Sequence, residues 1–169
     1  MSTTDTQLSF DYRLTGAGWS ECRITRGPHG VTITASYLSD ALGQLAAAVL
    51  LMQLGSQAAR VSFDEEPGEY RWGFDRVVAP DRQPQGIQLR IWRFDDLWAG
   101  LPDDKGELQF EQIVELDDLL AATVEMLGNV LNTYGLDGYH ERWIEHEFPK
   151  ALLDQLRRIR SKDAGSSTA

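Results

Sequence analysis

The stretch from residue 62 to residue 74, SFDEEPGEYRWGF, gathers side chains whose types and spacing could do chemistry. Four carboxylates (Asp64, Glu65, Glu66 and Glu69) crowd one Pro-Gly pair, and Tyr70, Trp72 and Phe74 follow at every second position. Clustered carboxylates can hold a cation or meet a basic protein; they also solubilise the tip of a hairpin. Calcium fits poorly, because the order lacks the alternating Asp-x-Asp-x-Asp-Gly of a calcium loop and Pro67 stiffens its middle. A second acidic run, PDDKGE at 102–107, has adjacent rather than alternating acids and no loop-closing Glu, so it reads as a turn. Metal binding is expected at neither.

With Pro67 and Gly68 at the centre of a hairpin turn, Asp64 falls opposite Arg71 and Arg60 opposite Asp75. Phe63 then meets Trp72, and Val61 meets Phe74, on the other face. The neighbouring register sets Asp64 against Glu69 and loses both ion pairs. Opposed charges contribute about 0.2–1 kcal/mol per pair and like charges cost as much, so pairing energetics favours the first register. Turn chemistry objects: L-Pro followed by Gly makes a type II turn, whose twist suits a tight hairpin poorly, and a wider loop would relieve it. The tip thus has two readings. In one, the acids solvate a hairpin end and nearby arginines satisfy them. In the other, Asp64, Glu65, Glu66 and Glu69, with Tyr70 or Trp72 exposed, form a negative knob that meets a cation or a basic protein.

Other reactive residue types lack the spacing that catalysis needs. His140 and His146 stand six apart, which turns them to different sides of a helix, whereas HExxH needs four. Tyr139, Trp143 and His146 make the inner stripe of that helix, with Glu141 and Glu145 outward. Cys22, the single cysteine, alternates with Ser20 and Ile24 and reads as a small buried thiol. A nucleophilic Cys–His pair would need one of three histidines beside it, and no local motif supports that. The sequence holds no G-x-S-x-G, no phosphate-cradling glycine loop and no CxxC, and GAGW at 16–19 lacks the third glycine of a dinucleotide fingerprint. No catalytic residue and no cofactor are assigned, and enzymatic activity is not the leading reading.

The tryptophans bear on binding. Trp72 shares a face with Tyr70 and Phe74. Trp92 lies opposite Ile87, Leu89 and Ile91, beside Arg90 and Gln88. If the aliphatic face points to the core, Trp92 stands among arginines. That describes either an interface, where aromatic residues and Arg are enriched, or a second sheet face covered by a C-terminal helix.

The elements that must position these residues follow from periodicity. LSFDYRLT alternates strictly, with Leu8, Phe10, Tyr12 and Leu14 on one face. WSECRIT and VTITASY continue it as two more strands of an antiparallel meander, joined by RGPHG. Ser39 or Asp40 caps a helix over about 40–54 that Gly55 stops; it is apolar nearly all round and so is buried on most sides or covered by a partner. Strands follow at about 59–65, 69–76 and 86–94, and LQFEQIV reads as a short edge strand. Leu116, Leu119, Leu120, Val124 and Leu127 begin a helix over 116–134 that Gly135 ends, followed by helices over 138–147 and 149–160. The expected fold is α+β: one antiparallel sheet of six to seven strands, the apolar helix 40–54 on one face, C-terminal helices, in the order βββ-α-βββ(β)-ααα. A single domain spans 1–169, with flexible tails at 1–7 and 163–169.

Composition narrows the partners. The net charge is −10, and residues 148–169 hold five basic against two acidic residues, so the rest is more acidic still. Such a field repels a phosphate backbone, which argues against nucleic acid, and attracts basic proteins. No apolar run is long enough to span a bilayer, the first residues lack the pattern of a signal peptide, and one cysteine suits a reducing compartment; a cytoplasmic location is expected. The leading expectation is a non-catalytic module that binds, and neutralises or regulates, a basic protein, as bacterial immunity proteins do; the comparison is one of composition. Its contact residues would be the acidic tip with Tyr70, Trp72, Arg90 and Trp92. The alternative is a small-molecule binder or enzyme with a pocket between the sheet and the C-terminal helices, lined by Tyr139, His140 and Trp143. Self-association through helix 40–54, giving a homodimer, is a third.

Overall fold

The computed structural model describes residues 6–81 and 84–166. Strands β1 (Leu8–Gly16), β2 (Trp19–Arg26) and β3 (His29–Ser36) form a three-stranded meander, and α1 (Ala41–Gln53) follows. Strands β4 (Ala58–Asp64), β5 (Glu69–Val78), β6 (Pro84–Phe94) and β7 (Glu107–Val114) form a four-stranded antiparallel sheet in sequence order. Helices α2 (Leu116–Trp143) and α3 (Lys150–Ser166) close the chain. The α+β class and the order of elements agree with the sequence reading.

The strands divide into sheets of three and four rather than forming one. The division lies at β3 and β4, where side chains occupy the groups that backbone pairing would use. The Ser62 and Asp64 amides at the edge of β4 donate to Gln44 Oε1 and Ser39 Oγ, each at 3.1 Å. β3 instead meets the end of the second sheet through side chains: Ser36 Oγ donates to the Asp64 carbonyl at 3.1 Å, and the Thr34 hydroxyl donates to the Glu65 carboxylate.

The alternation in β1 buries Leu8, Phe10, Tyr12 and Leu14 and exposes the residues between them. These side chains join an aromatic chain that crosses both sheets. Phe10 packs edge-on to Trp72 at 5.6 Å, Trp72 lies 5.1 Å from Phe63, and Tyr12 bridges Phe63 and Trp143, each at 6.4 Å. α1 packs against β4, α2 and α3, which accounts for its lack of a polar face. Its two glutamines bond to backbone outside the helix: Gln44 as above, Gln53 to the Leu116 carbonyl at 3.2 Å. Asp40 caps the start, accepting from the Gly43 amide, and Gly55 at φ 100° ends it, the Gly55 amide donating to the Met52 carbonyl and the Ser56 amide to the Leu51 carbonyl.

Two helix boundaries differ from expectation. Gly135 does leave helical geometry (φ 68°, ψ 177°), but the helix resumes without an intervening loop and ends at Trp143, short of 147. The last helix starts after Pro149 and runs to Ser166, past 160, so residues 163–166 are helical rather than a tail. The expected tails at 1–5 and 167–169 lie outside the described residues. No described helix is long and apolar enough to cross a membrane.

Candidate functional site

The hairpin adopts the register that pairing energetics disfavoured: Asp64 stands opposite Glu69, Phe63 opposite Tyr70 and Val61 opposite Trp72. Turn chemistry decides it. Pro67 and Gly68 are not the centre of a two-residue turn; residues 65–68 form a four-residue loop closed by the Glu65 amide bonding to the Gly68 carbonyl at 2.7 Å. The opposed acids find other partners. Arg71, in place of facing Asp64, grips the Glu69 carboxylate on its own strand with two bonds, of 3.0 and 3.1 Å. Ser62 Oγ donates to the Asp64 carboxylate. Arg60 still reaches Asp75, diagonally, at 3.0 Å.

This geometry consumes most of the expected knob. Glu69 is 6% exposed and Trp72 is 0% exposed, in the core between Phe10, Phe63 and Phe74, so neither presents itself to a partner. Asp64 and Glu65 are tied to β3 and to Ser39 and Ser62. Tyr70 is half-buried, its hydroxyl pushed up by desolvation and by the neighbouring Glu65. Of the four acids, Glu66 alone is fully exposed.

Trp92 is 7% exposed and is covered too, by a loop rather than by the C-terminal helix the sequence suggested. Residues 95–106 fold back over the outer face of β5 and β6. A Cβ on Gly106 would lie 2.6 Å from the Phe94 ring and 2.8 Å from Trp92 Cβ, and a Cβ on Gly73 would lie 2.6 Å from the Trp92 ring, so the aromatic pair sits in space that two glycines leave open. Arg60 and Arg90 each approach the Trp92 ring at 5.9 Å, and Arg71 lies 4.2 Å from the Phe94 ring. Arg90 is also paired with Glu111 at 2.8 Å.

Asp103 pins the loop. It accepts from Arg60 Nε at 2.8 Å and from Arg71 Nη1 at 3.0 Å, and Arg71 reaches the Leu101 carbonyl at 2.7 Å. Desolvation alone would raise the Asp103 carboxyl, but the two guanidiniums outweigh it and hold the group below its ordinary value. The sequence reading of PDDKGE as a turn is right, and this bridging role was not legible in it.

At the front of the same loop stands Trp98, 81% exposed. The Trp98 amide donates to Asp96 Oδ1 at 2.8 Å, and the Leu97 amide donates to the Pro67 carbonyl at 2.9 Å, which seats the loop against the acidic turn. Asp95, Asp96 and Glu66 are exposed around it, as is Leu101. A solvent-facing indole on a loop seated against the acidic turn, with Asp95 and Asp96 exposed beside it in the chain, is the feature that sequence reasoning missed. Its signal was an aromatic residue in a Pro- and Gly-rich segment without period, where no pattern provides for burial. A second exposed apolar group, Trp19, Leu38 and Ile144, lies where the β1–β2 turn, the end of β3 and the end of α2 are joined by Gly18.

The alternative pocket does not form as drawn. Tyr139 and Trp143 are wholly buried, Trp143 Nε1 donating to the Ser39 carbonyl at 3.2 Å, and burial pushes the Tyr139 hydroxyl far up. His140 faces outward and, with Leu136, Phe148 and Lys150, lines a cleft of about 280 Å³. A wider cleft of about 820 Å³ between the start of α1 and residues 145–152 is open to solvent. Cys22 is buried, and burial drives its thiol far up. Among the described residues no group of three His, Cys, Asp or Glu could hold a metal ion.

The chain is an antiparallel α+β protein with one strongly exposed tryptophan, Trp98, on the loop that covers β5 and β6. No protein-family model, characterised protein or solved structure matches the chain significantly.

Proposed function

We propose that this protein is a non-catalytic, cytoplasmic interaction module that binds a basic protein partner. The observation that carries the reading is Trp98, 81% exposed on a loop that Asp103 pins, next to the exposed Asp95 and Asp96 in the chain and bonded through Leu97 to the turn that carries Glu66. An indole displayed this way loses little entropy on binding and buries a large area, which is how aromatic anchors come to dominate interfaces. The surrounding carboxylates and the net charge of −10 set the sign of the partner and speed its encounter. Neutralisation or regulation of that partner would follow from covering its basic surface. The contact set differs from the one read from sequence: of Asp64, Glu65, Glu66, Glu69, Tyr70, Trp72, Arg90 and Trp92 only Glu66 is kept, and Trp98, Asp95 and Asp96 are added.

The test is affinity capture from native lysate at low salt, with wild type and Trp98→Ala side by side. A basic protein retained by wild type, released by salt and lost from Trp98→Ala is the expected result. Partners indifferent to both salt and Trp98 would remove the reading.

A further inference from the structure

The two sheets have four edges, and at two of them another element bonds to the outward backbone. At β1, the Leu14 amide donates to the Tyr134 hydroxyl at 3.0 Å, from α2. At β4, Gln44 and Ser39 take the amides of Ser62 and Asp64. β3 bonds to Glu65 and Asp64 only through the Thr34 and Ser36 hydroxyls, and it lies against β4, β5 and β7. The fourth edge is β7. Among the described residues, no other element hydrogen-bonds to its outward backbone; β3 approaches it without pairing.

Sheet edges left open invite another strand, and proteins commonly block them with lysine, proline, a bulge or a cover. β7, ELQFEQIV, has neither lysine nor proline. It does carry an irregularity, but near its start, between the Ile91–Phe110 and Trp92–Leu108 pairs. From Phe110 to Val114 the register with β6 is unbroken. On that stretch Phe110 and Val114 face the core, while Glu111 and Ile113 face out. Leu108 and Ile113 are 49% and 48% exposed.

We propose that β7 accepts an extended strand of the basic partner on this free edge. The inference rests on the reading above that the partner is a basic protein. The incoming strand would put apolar residues beside Phe110 and Val114 and lysine or arginine beside Glu111, which Arg90 already pairs from β6, the lysine stems lying over Leu108 and Ile113. A second copy of this chain is the poorer occupant, since pairing β7 with itself gathers four glutamates and joins two bodies of charge −10.

The probe is a blocked peptide of alternating valine and lysine, eight residues long to match β7. Two further versions carry N-methyl groups, one on every valine and one on every lysine. The methyl groups keep charge and side chains but remove one row of backbone donors. Expected are slowed amide exchange across Glu107–Val114 and binding at least about tenfold weaker for one of the methylated peptides, as the loss of several backbone bonds requires. Equal binding by all three peptides, binding by none, or protection confined to the Trp98 loop would overturn strand addition. The last of these would leave the acidic-module reading standing, and failure of the Trp98→Ala capture alone would remove that reading while leaving the exchange result intact. A concentration-dependent dimer abolished by Ile113→Lys would also overturn the proposal, by assigning the edge to a second copy.

Discussion

Residues 62–74 and residues 94–107 contain nearly the same ingredients, carboxylates among aromatic and apolar side chains around Pro and Gly, and the chain uses them in opposite ways. In the first, two strands impose a period of two. Phe63, Trp72 and Phe74 go to the core, and the acids are drawn into bonds with Thr34, Ser39, Ser62 and Arg71. In the second, no period exists. Asp103 is taken by Arg60 and Arg71, which fixes the loop, while Asp95, Asp96 and Trp98 are left in solvent. Acidity combined with aromatic residues therefore does not mark a binding surface. What separates the two regions is whether a regular backbone carries the aromatics inward.

The sharpest way to break the comparison is to exchange the two indoles for methyl groups. Trp72→Ala opens a cavity where Phe10, Phe63 and Phe74 meet, and should cost about 3–5 kcal/mol in a denaturant titration. A loss below about 1 kcal/mol would mean that the turn strand is not anchored by its aromatic face.

Gly73→Ala tests the space beneath the loop. Its Cβ would lie 2.6 Å from the Trp92 ring, which the chain at Gly106 holds from above. Overpacking of this kind costs about 1–3 kcal/mol and should raise amide exchange across 95–106. A stabilised variant would show that Trp92 can move away, and hence that the cover is loose.

Asp103→Asn releases the same loop by charge instead of by volume. Arg60 and Arg71 each lose an ionic partner, and a partly exposed bridge of this type is worth about 1–2 kcal/mol. The pH dependence has a definite sign. The folded Asp103 carboxyl lies below its ordinary value of 3.8, so its contribution is fully present above that value and is lost as the pH falls through the folded one. Wild type should therefore lose more stability than Asp103→Asn between neutral and acid pH. Parallel curves would assign the acid sensitivity to other carboxylates.

Most of the fold was legible because it rests on local periods. The alternation of Leu8, Phe10, Tyr12 and Leu14 shows β1, and the apolar wrap of α1 shows a helix packed on several sides. The register of β4 and β5 was misread because cross-strand charge pairs are worth only tenths of a kcal/mol, less than the geometry of the four-residue loop, and because Arg71 could satisfy Glu69 within its own strand. The division into two sheets was not legible: it depends on Ser36, Ser39 and Gln44 reaching across long sequence separations. Trp92 was placed on the correct face, but its cover comes from Gly106 and Asp103, whose roles appear only once the loop is closed. Trp98 has no periodic partner from which its exposure could be read.

Trp98→Ala sharpens the comparison by asking for almost no effect on folding. The indole touches little of its own chain, so its removal should change stability by less than about 0.5 kcal/mol, against several for Trp72. Its effect should appear in binding alone, with affinity for the captured partner falling at least about tenfold. Trp98→Phe should recover part of that loss, whereas Asp95→Asn with Asp96→Asn should slow association and flatten its salt dependence while leaving dissociation nearly unchanged, as rim charges do. A Trp98→Ala protein that is destabilised as strongly as Trp72→Ala would mean that the loop aromatic is structural after all. The contrast between the two acidic stretches would then disappear, because both would have turned their aromatics to the service of the fold.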